Sequence, residues 1–336
     1  MKTIISAGIV ALSALCAGPA FGQNLNGAGA TFPAPIYQKW FQEYKTAHSS
    51  VQINYQPIGS GGGISAMTEG TVDFGASDMP MTDEQIGKLK VRPLHFPTVL
   101  GADVITYNLP GVSGALKFSG DTIANIFLGK IAKWNDPKIA ADNPGVKLPS
   151  TDIVVAHRSD GSGTTFVFCD YLSKVSPEWK SKVGASTSVT WPVGLGGAKN
   201  DGVAGIVKQT EGAIGYVELV FAVQNKMAFA DVKNAAGKFV TPSFASVTAA
   251  AQASKDLAAD FRGSITNAPG AGSYPISSYT WLLIPSQIQD AAKKKAITDF
   301  LGWMLTTGQK DAEPLSYAPL PAAVVAKEKQ QIAAIK

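Results

Sequence analysis

His157-Arg158-Ser159-Asp160-Gly161-Ser162-Gly163-Thr164-Thr165-Phe166-Val167-Phe168 compresses a strand end, a tight turn and a helix start into twelve residues. The apolar run Ile153-Val154-Val155-Ala156 leads in as a buried strand. Asp160-Gly161-Ser162-Gly163 reads as a tight turn, because glycine takes backbone angles other residues resist and Asp and Ser bond back to nearby amides. Phe166, Val167, Phe168, Tyr171 and Leu172 then resume at helical spacing. The helix therefore begins in a Gly/Ser/Thr loop, with unpaired N–H groups and its positive dipole end directed into that loop. Hydroxyls and bare amides beside an arginine make a receptor for a small oxyanion. An ordinary N-capped turn next to a solvated arginine is the plainer alternative.

Upstream, the chain alternates in βαβ fashion. Leu25 to Ala30 is a short strand running into a glycine turn, and Thr31 is placed as an N-cap before Pro33 and Pro35. Ile36, Trp40, Phe41 and Tyr44 follow at helical spacing, and Val51, Ile53 and Tyr55 alternate as in a half-covered strand. Gly59-Ser60-Gly61-Gly62-Gly63 opens a second helix through Ile64 and Met67, and Val72 to Asp78 is a third strand ending in polar residues. Thr31, Ser60 and Asp78 thus sit at three successive strand ends, where ligands gather in such sheets.

A long extended run from Phe96 to about Pro110 is long enough to pass from one domain to another. Ser273-Tyr274-Pro275-Ile276 looks like the return crossing, into the buried strand Thr280–Ile284 and an amphipathic helix over 288–305. This layout predicts lobe I from residues 23–97 plus 275–336 and an inserted lobe II from 98–274, joined by two hinge crossings.

Met1-Lys2-Thr3, the apolar run from Ile4 to about Cys16 and Ala20-Phe21-Gly22 have the form of a secretory leader cleaved after Gly22. Removing those 22 residues from 336 leaves 314, enough for two domains, and lowers the formal net charge from +4 to +3. There is no basic run suited to nucleic acid. Only Cys169 remains, so no intramolecular disulfide is expected, and its aromatic neighbours suggest a buried, inert thiol. The three histidines, His48, His95 and His157, fit no metal-ligand spacing, and neither a metal nor a cofactor is expected.

Gly27-Ala28-Gly29-Ala30-Thr31-Phe32-Pro33-Ala34-Pro35, the Gly59–Gly63 turn, Val72–Asp78 and Arg158–Thr164 together resemble the periplasmic phosphate-binding proteins of the phosphate-specific ABC uptake system. Leu128–Trp134, Gly194–Gly202 and Gly212–Glu218 agree, and the likeness runs from about Leu25 to the last helix. It implies an α/β fold: a two-lobed periplasmic binding protein-like clamshell of mixed and parallel sheets flanked by helices, with two extended hinge crossings. By position, Thr31 and Phe32, with Ser60 and Asp78, would bind phosphate from one lobe. Arg158, Ser162, Gly163 and Thr164 would close from the other, while Asp160 would hold the Arg158 guanidinium. The resemblance also implies a monomeric periplasmic receptor delivering inorganic phosphate to membrane ABC permease subunits. Departures lie in the shortened segment around Lys88–Arg92 and in the divergent 240–272 region.

Asp78 carries the selectivity argument. Phosphate near neutral pH still holds a proton to donate to a carboxylate, whereas sulfate has none. Merely ending a strand is the plainer role for Asp78, and capping is that for Thr31, Ser60, Ser162 and Thr164. Trp134 and Trp191 read as core or cleft-rim packing. The rivals are a secreted phosphatase or hydrolase and a phosphate sensor. Against an enzyme, Asp160-Gly161-Ser162-Gly163-Thr164 lacks the first glycine of a Gly-x-Ser-x-Gly elbow. His157 is the only histidine near the pocket loops.

Overall fold

The computed structural model describes residues 22–254 and 257–336; the expected leader, up to residue 21, lies outside the described residues. The strands that build the site are β1 (Gln23–Gly29), β2 (Val51–Pro57), β3 (Phe74–Ser77), β4 (Pro93–Tyr107), β5 (Val154–Arg158), β6 (Leu195–Gly197), β7 (Ala213–Glu218) and β8 (Ser277–Pro285). The helices that follow them are α1 (Ala34–Ala47), α2 (Ser60–Glu69), α3 (Gly163–Val175), α4 (Lys199–Gln209), α5 (Leu219–Gln224) and α6 (Ala291–Met304). The expected strands and helices are present, with ends shifted by a few residues; the last long helix, for example, starts at Ala291 after the Asp290 cap rather than at Ile288.

The strands form one nine-stranded sheet, eight of them in the order β2-β1-β3-β8-β4-β7-β5-β6, with Ala228–Phe229 pairing off β4. β1 runs parallel to β2 and β3, and β5 runs parallel to β6 and β7. Each parallel group is therefore a βαβ unit whose helices start at the carboxyl ends of its strands. Thirteen of the fifteen β4 residues between Pro93 and Tyr107 beyond its first two positions are buried without a break, as befits a strand covered on both faces.

β4 changes partner along its length. It pairs with β8 through Ala102, opposite Ser277, and with β7 from Asp103, opposite Glu218. The second crossing runs beside it: the Asp103 N–H donates to the Ile276 carbonyl at 2.9 Å, and the Tyr274 hydroxyl donates to the Asp103 carbonyl at 3.0 Å. Two groups of parallel strands thus flank one antiparallel β4–β8 spine, giving a two-lobed α/β molecule. Among the described residues, no helix is long and apolar enough to cross a membrane.

Each lobe has its own aromatic packing. Phe41, Tyr44, Phe300 and Trp303 bind α1 to α6 in the first, with ring centroids 5.3–6.1 Å apart. In the second, Trp134 is fully buried and donates Nε1–H to the Gly212 carbonyl at 2.9 Å, while Trp191 stacks on His157 at 4.7 Å. Cys169 is buried, and burial pushes its thiol well above the ordinary range, as suits an inert side chain.

At the partner exchange, Asp103 faces Glu218 across the ladder, and both are fully buried. Both Asp103 carboxylate oxygens and Glu218 Oε1 lack a hydrogen-bond partner among the described residues. Burial pushes both carboxyls up, Asp103 further through the Asp78 charge and Glu218 further through Asp103. A folded-state carboxyl raised in this way favours folding below the ordinary carboxylate range, and that contribution is lost as pH rises through the raised value. Asp103→Val, which puts a strand-forming side chain in the same place, is expected to stabilise the protein at pH 8 by about 1–3 kcal/mol. That corresponds to roughly 2–6 °C in midpoint, and thermal melts should show the gain shrinking towards pH 4.

Candidate functional site

β1, β2 and β3 end at Gly29, Pro57 and Ser77, and just beyond them the chain delivers Thr31, Ser60 and Asp78 to one face of the cleft. Ser60 is the first residue of α2 and is fully buried. Its hydroxyl accepts the Asp78 N–H at 3.1 Å and reaches Asp78 Oδ2 at 3.4 Å. Asp78 Oδ1 accepts a hydrogen bond from Thr280 of β8 at 2.7 Å. Burial raises the Asp78 carboxyl to about 7, against the pull of Thr280, the Arg158 charge and Ser60. Around neutral pH it is therefore poised between accepting and donating.

Thr31 does not cap α1 as its sequence position suggested; Pro33 holds the N-cap position, with no side-chain cap bond. Pro33 and Pro35 have no N–H to offer, and the Ala34 N–H is taken by the Thr31 main-chain carbonyl at 3.1 Å. The Thr31 hydroxyl is thereby released to the cleft. The neighbouring Phe32 ring is fully buried under it, where a Cβ on Gly101 would lie 2.6 Å from the ring.

The opposite face is the turn and first helical residues after β5. Ser162 caps α3 by accepting the Thr165 N–H at 3.0 Å, which leaves its own hydroxyl proton uncommitted. Among the described residues the N–H groups of Gly163 and Thr164 donate to no protein acceptor, as expected of a first helical turn. Tyr216 fixes this corner: its hydroxyl accepts the Arg158 N–H at 3.2 Å and shares a 2.7 Å bond with Thr165 Oγ1. The Arg158 guanidinium, nearly fully buried, forks onto Asp160, Nε to Oδ1 at 2.7 Å and Nη2 to Oδ2 at 2.6 Å. Its Nη1 reaches Thr164 Oγ1 at 3.3 Å. Burial alone would raise the Asp160 carboxyl, but the Arg158 fork and the Lys199 N–H outweigh it and hold the group below the usual range.

The two faces are in contact. The Gly61 N–H of one donates to the Gly161 carbonyl of the other at 2.9 Å. A Cβ on Gly163 would lie 2.3 Å from Ser60 Oγ and 2.5 Å from Asp78 Oδ2, so the starts of α2 and α3 abut. His157, next to Arg158 on β5, is packed under Trp191 with Nδ1 at the Arg158 carbonyl, 3.0 Å away. It stacks there instead of joining the hydroxyls.

Thr31, Ser60, Asp78, Arg158, Ser162, Gly163 and Thr164 are thus brought to one seam, with Phe32 behind it and Asp160 under the arginine. Sequence reasoning missed two residues, Thr280 and Asn200. Thr280 sat in a run assigned as a buried strand, and only the pairing of β8 with β3 shows that its hydroxyl meets Asp78. Asn200 is fully buried and bonds Thr31 Oγ1 at 2.9 Å from α4.

A model of the PBP superfamily domain matches residues 17–307. The phosphate-binding protein PstS of Xylella fastidiosa is 49% identical over 300 residues, covering 89% of this chain and 82% of that protein. The chain belongs to the PstS family of phosphate-binding proteins. The PstS of Pasteurella multocida is 46% identical over 311 residues, with 92% and 90% of the two chains covered. Among solved structures, a high-affinity periplasmic phosphate-binding protein with phosphate bound superposes with a TM-score of 0.74 at 22% identity, over 92% of this chain and 93% of that one. The phosphate binding protein of Stenotrophomonas maltophilia gives 0.70 at 19% identity, over 92% and 93%. At these identities the structures speak for the shared two-lobed fold.

Because helix start meets helix start, a methyl group at Gly163 has no room while the faces touch. Gly163→Ala is expected to cost the closed arrangement about 1–3 kcal/mol, shifting its population about 5–150-fold. Small-angle scattering should report a more open molecule, and an unchanged profile would show that the faces need no such contact.

Proposed function

We propose that this PstS family member is an exported receptor that captures inorganic phosphate between its lobes and hands it to a membrane ABC permease. The observation that carries this is the abutment of two helix N-termini from opposite lobes beside a buried arginine and one acid. Each N-terminus presents unpaired N–H groups and roughly half a positive charge, so an enclosed anion satisfies both together. The names of the relatives and the exported-protein pattern of the N-terminus point the same way.

In this reading Thr31, Phe32 and Ser60 supply hydroxyl and amide donors from the first lobe. Arg158, Ser162, Gly163 and Thr164 supply them from the second, and Asp160 fixes the guanidinium plane so that its free edge meets oxygen. Asp78 accepts the proton that phosphate carries. We draw the lobe boundary where β4 exchanges partners, between Ala102 and Asp103, slightly beyond the 97/98 division expected from the sequence. The receptor acts as a periplasmic monomer with no catalytic step, and energy for uptake comes from the permease. Asp160 is tied up by the guanidinium and Asp78 takes the ligand's own proton, which leaves neither carboxyl to activate a water, so p-nitrophenyl phosphate is expected to be bound or ignored but not turned over.

Calorimetry with both anions tests the reading. Phosphate is expected to bind at least about a thousandfold more tightly than sulfate at pH 8, since sulfate would leave the Asp78 carboxylate facing an anion without a proton between them. Asp78→Asn should erase most of that ratio, and equal ratios in the two proteins would remove Asp78 from the role. Arg158→Lys should weaken phosphate about ten- to a hundredfold, because an ammonium cannot reproduce the fork.

The Asp78 carboxyl, raised by burial to about 7, adds a pH arm. Below that value it carries a proton and can itself donate. Sulfate affinity is therefore expected to rise as pH falls from 8 to 5 in the native protein and to stay flat in Asp78→Asn. A flat native profile would contradict the proton-reading role.

A further inference from the structure

Asn200 is the second residue of α4 and has no exposed surface. Its Oδ1 accepts the Glu218 N–H at 3.0 Å, which settles the orientation of the amide, since only the oxygen can take that bond. Nδ2 therefore points into the seam. It donates to Thr31 Oγ1 at 2.9 Å on the first lobe and lies 3.4 Å from Thr164 Oγ1 on the second. One side chain, carried by the second lobe, thus binds a hydroxyl on each side of the cleft.

A threonine hydroxyl has one proton and two lone pairs. Thr31 Oγ1 uses a lone pair on Asn200; Thr164 Oγ1 receives both Asn200 and Arg158 Nη1. With their acceptor capacity drawn on from behind, both hydroxyls keep a proton to give. Lys199, just before Asn200, holds φ at +63°, a left-handed angle that non-glycine residues avoid, and spends its N–H on Asp160 Oδ1 at 3.0 Å. The surroundings hold this bend in place, and the bend aims Asn200 across the cleft.

We propose that Asn200 is a positioning residue for phosphate capture: its amide ties Thr31 to the second lobe and turns the Thr31 and Thr164 hydroxyl protons toward the anion. This rests on the phosphate reading. The amide touches no ligand itself; it makes two ambivalent hydroxyls into fixed donors and adds a cross-cleft bond that must break before release.

Asn200→Asp keeps the shape and the acceptor for the Glu218 N–H but removes both N–H donors. As a carboxylate it attracts the Thr31 proton away from the anion. Phosphate affinity at pH 8 is expected to fall on the order of a hundredfold, mostly through faster release, and to recover relative to the native protein as pH drops to 5 and the carboxyl regains a proton. Asn200→Ala should lose about tenfold without that recovery, and combined with Thr31→Val it should cost little more than Thr31→Val alone. Melting curves on each variant confirm that the fold persists. If the native protein binds phosphate but Asn200→Asp keeps a constant small deficit at every pH, or if the Asn200→Ala and Thr31→Val losses simply add, Asn200 is structural and the proposal fails alone. If the native protein binds no phosphate, the receptor reading fails with it.

Discussion

Two helix N-termini that face each other across a seam are an electrostatic problem before they are a binding site. Each carries unpaired N–H groups and a partial positive charge, and here α2 and α3 approach until Gly163 and Ser60 leave no room for a methyl group. A buried arginine adds a full positive charge, met by the ionised Asp160 carboxylate in a two-point fork. The two faces are nonetheless tied by a hydrogen bond, Gly61 N–H to the Gly161 carbonyl at 2.9 Å. In the proposed reading an enclosed anion answers both N-termini at once, so that capture favours closure. A ligand shifts a conformational equilibrium only by its differential affinity for the two states. In that reading the differential comes from donors divided between the lobes.

The counter-charges are rationed accordingly. Asp160 is committed to the guanidinium, and burial raises the Asp78 carboxyl to about 7, against the pull of Thr280 and Arg158. In the proposed reading most of the anion's charge falls to neutral donors, main-chain amides and hydroxyls, and the hydroxyls are each held by a partner behind them. Ser162 is held by the Thr165 N–H, Ser60 by the Asp78 N–H, Thr31 by Asn200. Preorganised neutral dipoles need no rearrangement when the ligand arrives. Glu218 contributes at one remove, its N–H fixing Asn200 while its carboxylate caps α5 at the Val220 N–H, 2.8 Å away.

What could be read from the sequence was what the backbone must do locally. Glycine turns between apolar runs announce strand–turn–helix units, so Ser60, Asp78 and the Arg158–Thr164 loop are legible in the sequence as strand-end residues. Asn200 and Thr280 were not, because nothing near them in the chain distinguishes a helix asparagine or a strand threonine from any other. Their roles come from pairings 169 and 202 residues apart. Thr31 was misjudged as a cap for a related reason: the cap position depends on which N–H groups are left once the turn has closed, and the two prolines remove the candidates. The buried Asp103–Glu218 pair was invisible until β4 was seen to change partners between them.

That exchange also marks where one ladder hands over to the other. β4 is one continuous strand, bonded to β8 on one side of Ala102/Asp103 and to β7 on the other, and the return crossing is bonded to it through Ile276 and Tyr274. A hinge needs a point where few dihedrals turn while the flanking ladders persist, and the exchange has that geometry, because each ladder lies wholly on one side of it. Phe32 lies directly against Gly101 there, and its carbonyl accepts the Tyr317 hydroxyl at 2.6 Å. The residue that follows Thr31 in the binding loop is thus also a wall of the hinge. One ring therefore links the loop that carries Thr31 to the strand position where β4 changes partners, with no other element in between.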